Sequence, residues 1–508
     1  MNQNVTKILK NSIFLYIRMA ILMLVSFYVT RVVLKVLGTD GYGLYNLVGS
    51  VVAIFASLKA LFATSVQRFL NYYKGKGNFS SVADVFNIGV VIHLFMALLF
   101  GICVEIVGLY LIHNKLNIPP HLFDSALFVF HCSVVTACVS IITIPYDAVI
   151  IANEKMGVYA LLSVLDGALK LAIALSLPYI ITNDKISAYA LLLCLLSVLL
   201  RFMSSAYCRR FPECKKKLRI KKDLFKDLLV FSSWNFLGNL GYSLMNEVIN
   251  IFLNIFGGVA VNSAKAIAYQ VRSAIQDVST NFSMAANPRI VQGSAKLNVS
   301  EIYPQIIELG RITYYITYFL TIPIFVFLPI ILNVWLDQVP HYTIEFTRFI
   351  LLYLLIRSFH SSIDTLFKAY GKLGKYQICD IITLLLNIPI AYIVLKAGGK
   401  YEWVFLTFSI CEFFNLLSIL VVARKQLGFA SDKYMKDIFL LLVKTILPIF
   451  PIVYLGVRND NYITIPVLIV GLIVCLTYVL IVAYITSNEY EKYYIKTLTK
   501  SLYKKVHL

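Results

Sequence analysis

Stretches of roughly 20 mainly apolar residues, the length a helix needs to cross a bilayer, recur about fourteen times along this chain, separated by short polar breaks. In hydrocarbon every backbone N–H and C=O must find a partner within the protein, and apolar runs this long satisfy that demand as helices. Of the 508 residues, 59% are hydrophobic and 14% charged, more apolar side chain than a water-soluble core can bury. The breaks stay below about twenty residues, which leaves little chain for a soluble domain. The expected fold class is therefore an all-α integral membrane protein with about 14 transmembrane helices. The first apolar stretch runs from Asn11 past Val36 without a small-residue cleavage pattern, so it reads as a retained helix.

A formal charge of +20 would point to nucleic acid in a soluble protein, but here its placement decides otherwise. Basic residues crowd alternate breaks, at 209–226, 368–376, 424–436 and in the tail from Asn488, whereas the breaks between them hold few. That bias places both termini in the cytoplasm, and it assigns the surplus charge to topology and anionic lipid headgroups, with no nucleic-acid partner. Nine cysteines stand singly, without CxxC or a His–Cys spacing, so neither a metal site nor a disulfide framework is expected.

The basic break at 209–226 divides the first twelve spans evenly. Asp147, Ala152, Lys155, Gly157 and Tyr159 reappear 217 positions later as Asp364, Ala369, Lys372, Gly374 and Tyr376, and nearly the same offset pairs Gly38 with Gly257 and Arg68 with Arg289. An even number of spans per half makes the halves parallel repeats. The expected organisation is an N-lobe of helices one to six over 1–208, a basic cytoplasmic linker over 209–226 and a C-lobe of helices seven to twelve over 227–424. Helices thirteen and fourteen, with a basic tail, follow over 425–508.

Ionisable groups inside spans are costly, so those present usually face a cavity or a partner. The first span (11–37) carries Arg18, the second (44–71) Lys59, and the eighth (261–287) Lys265 and Arg272, seven residues apart and so on one face. The seventh (227–256) has a polar stripe of Asn235, Asn239, Tyr242, Asn246 and Asn250, with Glu247 beside it. One reading lines a basic, hydrated cavity for an anionic substrate with these cations and amides, because guanidinium and ammonium groups suit phosphate oxygens. The alternative pairs the cations with Glu247, Asp277 or Glu105 and uses the asparagines as inter-helix glue. Asp166 and Lys170, four apart, should neutralise each other, and Asp147 and Asp364 should tie their own helix ends. Arg357, His360, Asp380 and Glu412 look individually unremarkable. No phosphate-binding GxxxxGK[ST] loop, HExxH or GxSxG occurs, so no enzyme class and no cofactor are indicated.

Four segments in order, LGTDGYGLYNLV at Leu37, IPYDAVIIANEKMGVYA at Ile144, VNSAKAIAYQV at Val261 and ANPRIVQGSA at Ala286, span both halves. They resemble the O-antigen and capsule repeat-unit flippases of the multidrug/oligosaccharidyl-lipid/polysaccharide exporter superfamily. The resemblance implies a MATE-like two-lobe fold of twelve to fourteen helices around a central cavity, alternating between cytoplasmic and outward openings in the bacterial inner membrane. It also implies an undecaprenyl-pyrophosphate-linked oligosaccharide as cargo, with the lipid bilayer and, as assembly partners, a polysaccharide polymerase and glycosyltransferases. By helix and character it gives Arg18, Lys59, Lys265 and Arg272 the pyrophosphate. Glu247 and Asp277 are then candidates for ion coupling. A drug or cation exporter of the same superfamily, or a non-transporting scaffold of a polysaccharide assembly, are the competing readings.

Overall fold

The structure, a computed structural model, describes residues 3–75, 79–153, 155–214, 244–294, 298–458 and 465–487, and every regular element among them is helical. In chain order the helices are α1 (Gln3–Gly75), α2 (Phe79–Asn114), α3 (Phe123–Ala152), α4 (Met156–Ser176), α5 (Lys185–Cys208), α6 (Leu244–Gly257), α7 (Val259–Ser294) and α8 (Val299–Trp335). They continue with α9 (Thr343–Tyr370), α10 (Leu373–Leu385), α11 (Asn387–Lys396), α12 (Trp403–Leu427), α13 (Ser431–Arg458) and α14 (Ile465–Thr486). Nine helices among the described residues are long and apolar enough to cross a membrane. The chain is a multi-pass membrane protein.

Two expected spans run together and one divides, each for a local reason. The first two share α1, broken at Gly38, whose φ of 72° and ψ of 174° are not helical. Nothing lies within 4 Å of where a Cβ would stand, so the left-handed backbone and not crowding requires glycine there. A second break stands between α6 and α7, where the positive φ, 77°, falls on Gly258 and not on the Gly257 matched to Gly38 in sequence. The eleventh span, expected over 376–396, is split into α10 and α11 because Pro389 has no N–H to give Leu385 and its ring crowds that carbonyl.

The chain forms two compact units. Unit 1 comprises Met1–Gln270, Leu336–Thr343 and Leu384–Val404, and unit 2 comprises Val271–Trp335, Ile344–Thr383 and Phe405–Leu508. In unit 1, α3 packs against α1, α2 and α5, and the two glycine breaks lie side by side. Ser263 Oγ donates to the Thr39 carbonyl, and a Cβ on Gly43 would stand 1.9 Å from the Val259 carbonyl oxygen, so Gly43 is what lets α1 and α7 approach. Past the end of α3, the Lys74 ammonium reaches Asn153 Oδ1 (2.7 Å) and Glu213 Oε1 (3.0 Å), while Asn153 Nδ2 donates to the same carboxylate at 2.8 Å. Burial alone would raise the Glu213 carboxyl, but Asn153 and Lys74 together hold it below the usual glutamate range. Elsewhere in the unit, Arg31 (2.9 Å) and Lys35 (2.5 Å) both pair with Asp337, and these two cations hold its carboxyl below the usual aspartate range.

Unit 2 is built around α8, and it absorbs α13 and α14, which had no assigned role in the sequence. Both pack on α8, whose tyrosines bond each of them: Tyr314 shares a 2.6 Å hydrogen bond with Thr445 of α13, Tyr318 donates to the Thr445 carbonyl at 2.9 Å, and Tyr315 bonds Thr486 of α14 at 3.0 Å, while Tyr434 of α13 bonds Ser362 of α9 at 2.6 Å. Arg311 on α8 donates to the Thr486 carbonyl at 3.0 Å, satisfying the carboxyl end of α14. Apolar residues of both helices, among them Phe439, Leu447, Val470 and Ile485, remain exposed, as a lipid-facing surface should.

The repeat is visible in the backbone. At the end of α3 the Lys155 N–H bonds the Ile150 carbonyl (3.1 Å), and at the end of α9 the Lys372 N–H bonds the Phe367 carbonyl (3.2 Å), the same bond 217 positions on. Asp364 pairs with Lys368, four residues on along α9, at 2.5 Å, and Asp166 pairs with Lys170 at 2.7 Å.

Candidate functional site

The α6–α7 pair in unit 1 carries most of the sequence-derived candidates that can be placed. Lys265, buried to 5% exposure, donates from Nζ to the Asn246 main-chain carbonyl at 2.7 Å and sits 4.7 Å over the Tyr269 ring. Tyr269 Oη donates to Asn246 Oδ1 at 2.9 Å. One turn further along α6, Asn250 accepts from Asn262 Nδ2 through both its main-chain oxygen (2.8 Å) and its Oδ1 (3.0 Å). A third asparagine, Asn254, exchanges hydrogen bonds with the Asn117 backbone at 2.9 and 3.2 Å. Their four-residue spacing puts Asn246, Asn250 and Asn254 on one face of α6, and that face ties it to α7 and to the segment before α3.

Arg272, in unit 2, is 2% exposed, with its guanidinium 4.8 Å over the Tyr353 ring of α9 and an N–H directed to the Tyr353 hydroxyl at 3.4 Å. Glu247 is half-buried, with Lys265 as its charged neighbour, while Asp277 is exposed and Glu105 pairs with His131 at 3.0 Å. Arg18 and Lys59 fall on α1, but their side chains, like Asn235 and Asn239 altogether, lie outside the described residues.

The largest charged cluster among the described residues joins side chains that are unremarkable one by one in the sequence. In unit 2, Arg357 Nη1 lies 3.0 Å from Glu412 Oε1, 3.0 Å from His360 Nδ1 and 3.5 Å from Asp380 Oδ1. His360 Nε2 faces the Tyr376 hydroxyl at 2.8 Å and Asp380 at 3.5 Å, and Asn415 Nδ2 donates to Asp380 at 2.7 Å. Each residue alone resembles a stray polar group in an apolar span. The available signal was collective: opposite charges in the tenth, eleventh and twelfth spans, with Arg357 and His360 three apart on one face. No group of three His, Cys, Asp or Glu side chains among the described residues is arranged to hold a metal ion.

The family model described as MatE matches residues 236–393, less than a third of the chain, which takes in α6 to α10 and most of α11. No curated protein sequence matches. Solved structures do: an inward-facing multidrug resistance MATE family transporter of the MOP superfamily aligns with a TM-score of 0.66 at 14% identity, covering 81% of this chain and 95% of its own. A MOP superfamily transporter from Pyrococcus furiosus aligns at 0.60 with 15% identity (83% and 95% covered), as does a MATE transporter in complex with MaL6 (0.60, 15%, 84% and 97%). The chain has the MATE fold. Within that fold, the family-model match includes Lys265, Arg272, Arg357, His360 and Asp380, and it stops short of Glu412.

Proposed function

We propose that this MATE-fold protein is a flippase moving polyprenyl-pyrophosphate-linked sugar repeat units across the bacterial inner membrane by alternating access. Its termini are cytoplasmic in this reading, and it supplies O-antigen, capsule or exopolysaccharide synthesis. The observation that supports it most is the pair of cations on α7: Lys265 and Arg272 are 5% and 2% exposed, seven residues apart on one helix face. Holding an ammonium and a guanidinium inside a membrane helix is expensive, and an anionic cargo gives that expense a purpose. Arg18 and Lys59 would add to the same charge. The sugar and lipid portions ask less of the protein, since the tail can stay in the bilayer while the headgroup crosses. Direction then comes from differential affinity in the two openings, driven by an ion gradient or the membrane potential.

The test is the appearance of lipid-linked oligosaccharide on the far leaflet of proteoliposomes, read with a membrane-impermeant lectin or glycosidase. Lys265→Gln should slow it roughly tenfold or more, the scale of a lost charge-assisted hydrogen bond. Unchanged flipping in the Lys265→Gln, Arg272→Gln double variant would sink the reading. The similarity to a multidrug resistance transporter favours a drug exporter as the second reading. Pocket polarity is the discriminator: in the Pyrococcus protein, reversed polarity of the binding pocket suggests a different function. A drug exporter would lower cellular accumulation of cationic dyes and would do so better, not worse, when Lys265 loses its charge.

A further inference from the structure

The cluster of α9, α10 and α12 is not needed to bind an anion, yet it concentrates titratable groups in the interior of unit 2. His360 and Glu412 are each 2% exposed. His360 is faced by Arg357 on its own helix, by Tyr376 and Asp380 from α10 and by Glu412 from α12. Asn415 holds Asp380, Asp364 lies further along α9, and the hydroxyl of Tyr434 from α13 bonds the neighbouring Phe359 carbonyl.

The charges do not balance. A guanidinium has only donors, so the Arg357 N–H aimed at His360 Nδ1 makes that nitrogen an acceptor, which puts the ring's one proton on Nε2, toward Tyr376 and Asp380. With a neutral imidazole, Arg357 faces two carboxylates, and a net charge of minus one is left in a cluster where Glu412 is buried and the Arg357 and Asp380 side chains are 23% and 17% exposed. Burial makes such a charge costly, and one added proton removes it. Nor is the remaining acceptor capacity used up: Glu412 Oε2 and Asn415 Oδ1, three residues apart on one face of α12, are buried without a hydrogen-bond partner.

We propose that the Arg357–His360–Asp380–Glu412 cluster binds one exchangeable proton, seated on His360, and that its uptake and release set the state of the α9–α10 turn. In the uptake step a proton from hydronium forms an N–H bond at His360 Nδ1 and leaves water behind. Arg357 then loses its contact with that nitrogen and turns to the carboxylates, where Glu412 Oε2 is open to it. The imidazolium pairs with Glu412 Oε1, already 3.3 Å from Nδ1. Release reverses each movement. The state is passed on by Tyr376, which bonds His360 and is the last residue of the repeated motif whose Lys372 closes the turn after α9. A metal cation fits the cluster poorly, because Arg357 Nη1 already stands within 3.0–3.5 Å of the His360, Glu412 and Asp380 atoms that would have to ligate it.

The test uses the full chain in lipid nanodiscs. Proton uptake is counted with a pH indicator in weak buffer between about pH 8 and about pH 5, the range in which imidazoles titrate. Glu412→Gln restores neutrality without a proton, so it should bind about one proton fewer than wild type although His360 is intact; a purely structural role for Glu412 would not remove that proton. Asp380→Asn should do the same, which keeps the test available if one variant fails to fold. His360→Gln should shift the uptake to lower pH, onto a carboxylate. Wild-type curves in well-folded Glu412→Gln and Asp380→Asn would overturn the proposal. So would a titration displaced by sodium against choline in wild type but not in Glu412→Gln, since the site would then hold a metal cation. These outcomes do not depend on the cargo. If the flippase reading holds, an imposed pH gradient should accelerate wild-type flipping and leave Glu412→Gln unresponsive; failure of the flippase reading would leave the proton count unaltered.

Discussion

The two repeats share a backbone device and differ in what they build on it. Each ends its fourth span with the same lysine N–H bonded five residues back, yet 217 positions before Arg357, His360, Asp380 and Glu412 stand Ser140, Thr143, Ser163 and Leu195. In the first repeat Thr143 and Ser163 bond the carbonyls of Val139 and Tyr159 on their own helices, at 2.8 and 2.9 Å, and Leu195 is 55% exposed. In the second repeat the corresponding side chains reach between three helices and Glu412 is buried. Short hydroxyls satisfy themselves locally and ask nothing of their neighbours. Longer charged groups must find partners on other helices, so the second repeat is where packing and charge are interdependent. Duplicated architecture therefore does not imply duplicated chemistry.

The largest effect that would break this comparison is expected at its charged centre. Arg357→Met leaves two carboxylates without their cation and should cost roughly 3–5 kcal/mol of stability, seen as a fall in melting temperature in detergent. A small change would mean that the network is more open to water than its burial indicates. Next comes the contact of the two glycine breaks. Gly43→Ala drives a Cβ into the Val259 carbonyl and should cost about 1–3 kcal/mol or more. Gly38→Ala and Gly258→Ala, where only the left-handed backbone objects, should each cost about 1–2 kcal/mol and by similar amounts if the breaks are equivalent.

The turns after the fourth span of each repeat should respond differently to acid. In the first, Lys74 and Asn153 hold Glu213, whose carboxyl is depressed below its usual value of 4.5. A depressed carboxyl stabilises fully above that value, and the stabilisation is lost as pH falls through the lower, folded one. In the second, Lys372 donates to the Gln426 main-chain carbonyl at 2.9 Å, which does not titrate. Protection from hydrogen exchange over 147–159 should fall on acidification through that range, whereas a change over 364–376 should instead follow the uptake proposed at His360 between about pH 8 and about pH 5; Glu213→Gln should abolish the first response, at a cost of roughly 1 kcal/mol. The smallest effects belong to Thr143→Val and Ser163→Ala, expected within about 0.5 kcal/mol, because each hydroxyl serves only its own helix. A larger loss would show that the first repeat also depends on side chains reaching between helices.

The helices, the motif at the ends of the fourth and tenth spans and the polar break between the first two spans were legible in the sequence by itself, since each follows from local chemistry. Apolar length specifies a membrane helix because hydrocarbon leaves the backbone no other way to pair its polar groups. Only the tertiary structure decided where side chains found their partners: that Asn246 and Asn250 tie α6 to α7, that α13 and α14 complete the core of unit 2 around α8, and that four scattered ionisable residues form one network. Those outcomes depend on the rotation of each helix about its axis and on which neighbours it meets. Neither is encoded in the spacing of residues along a single span.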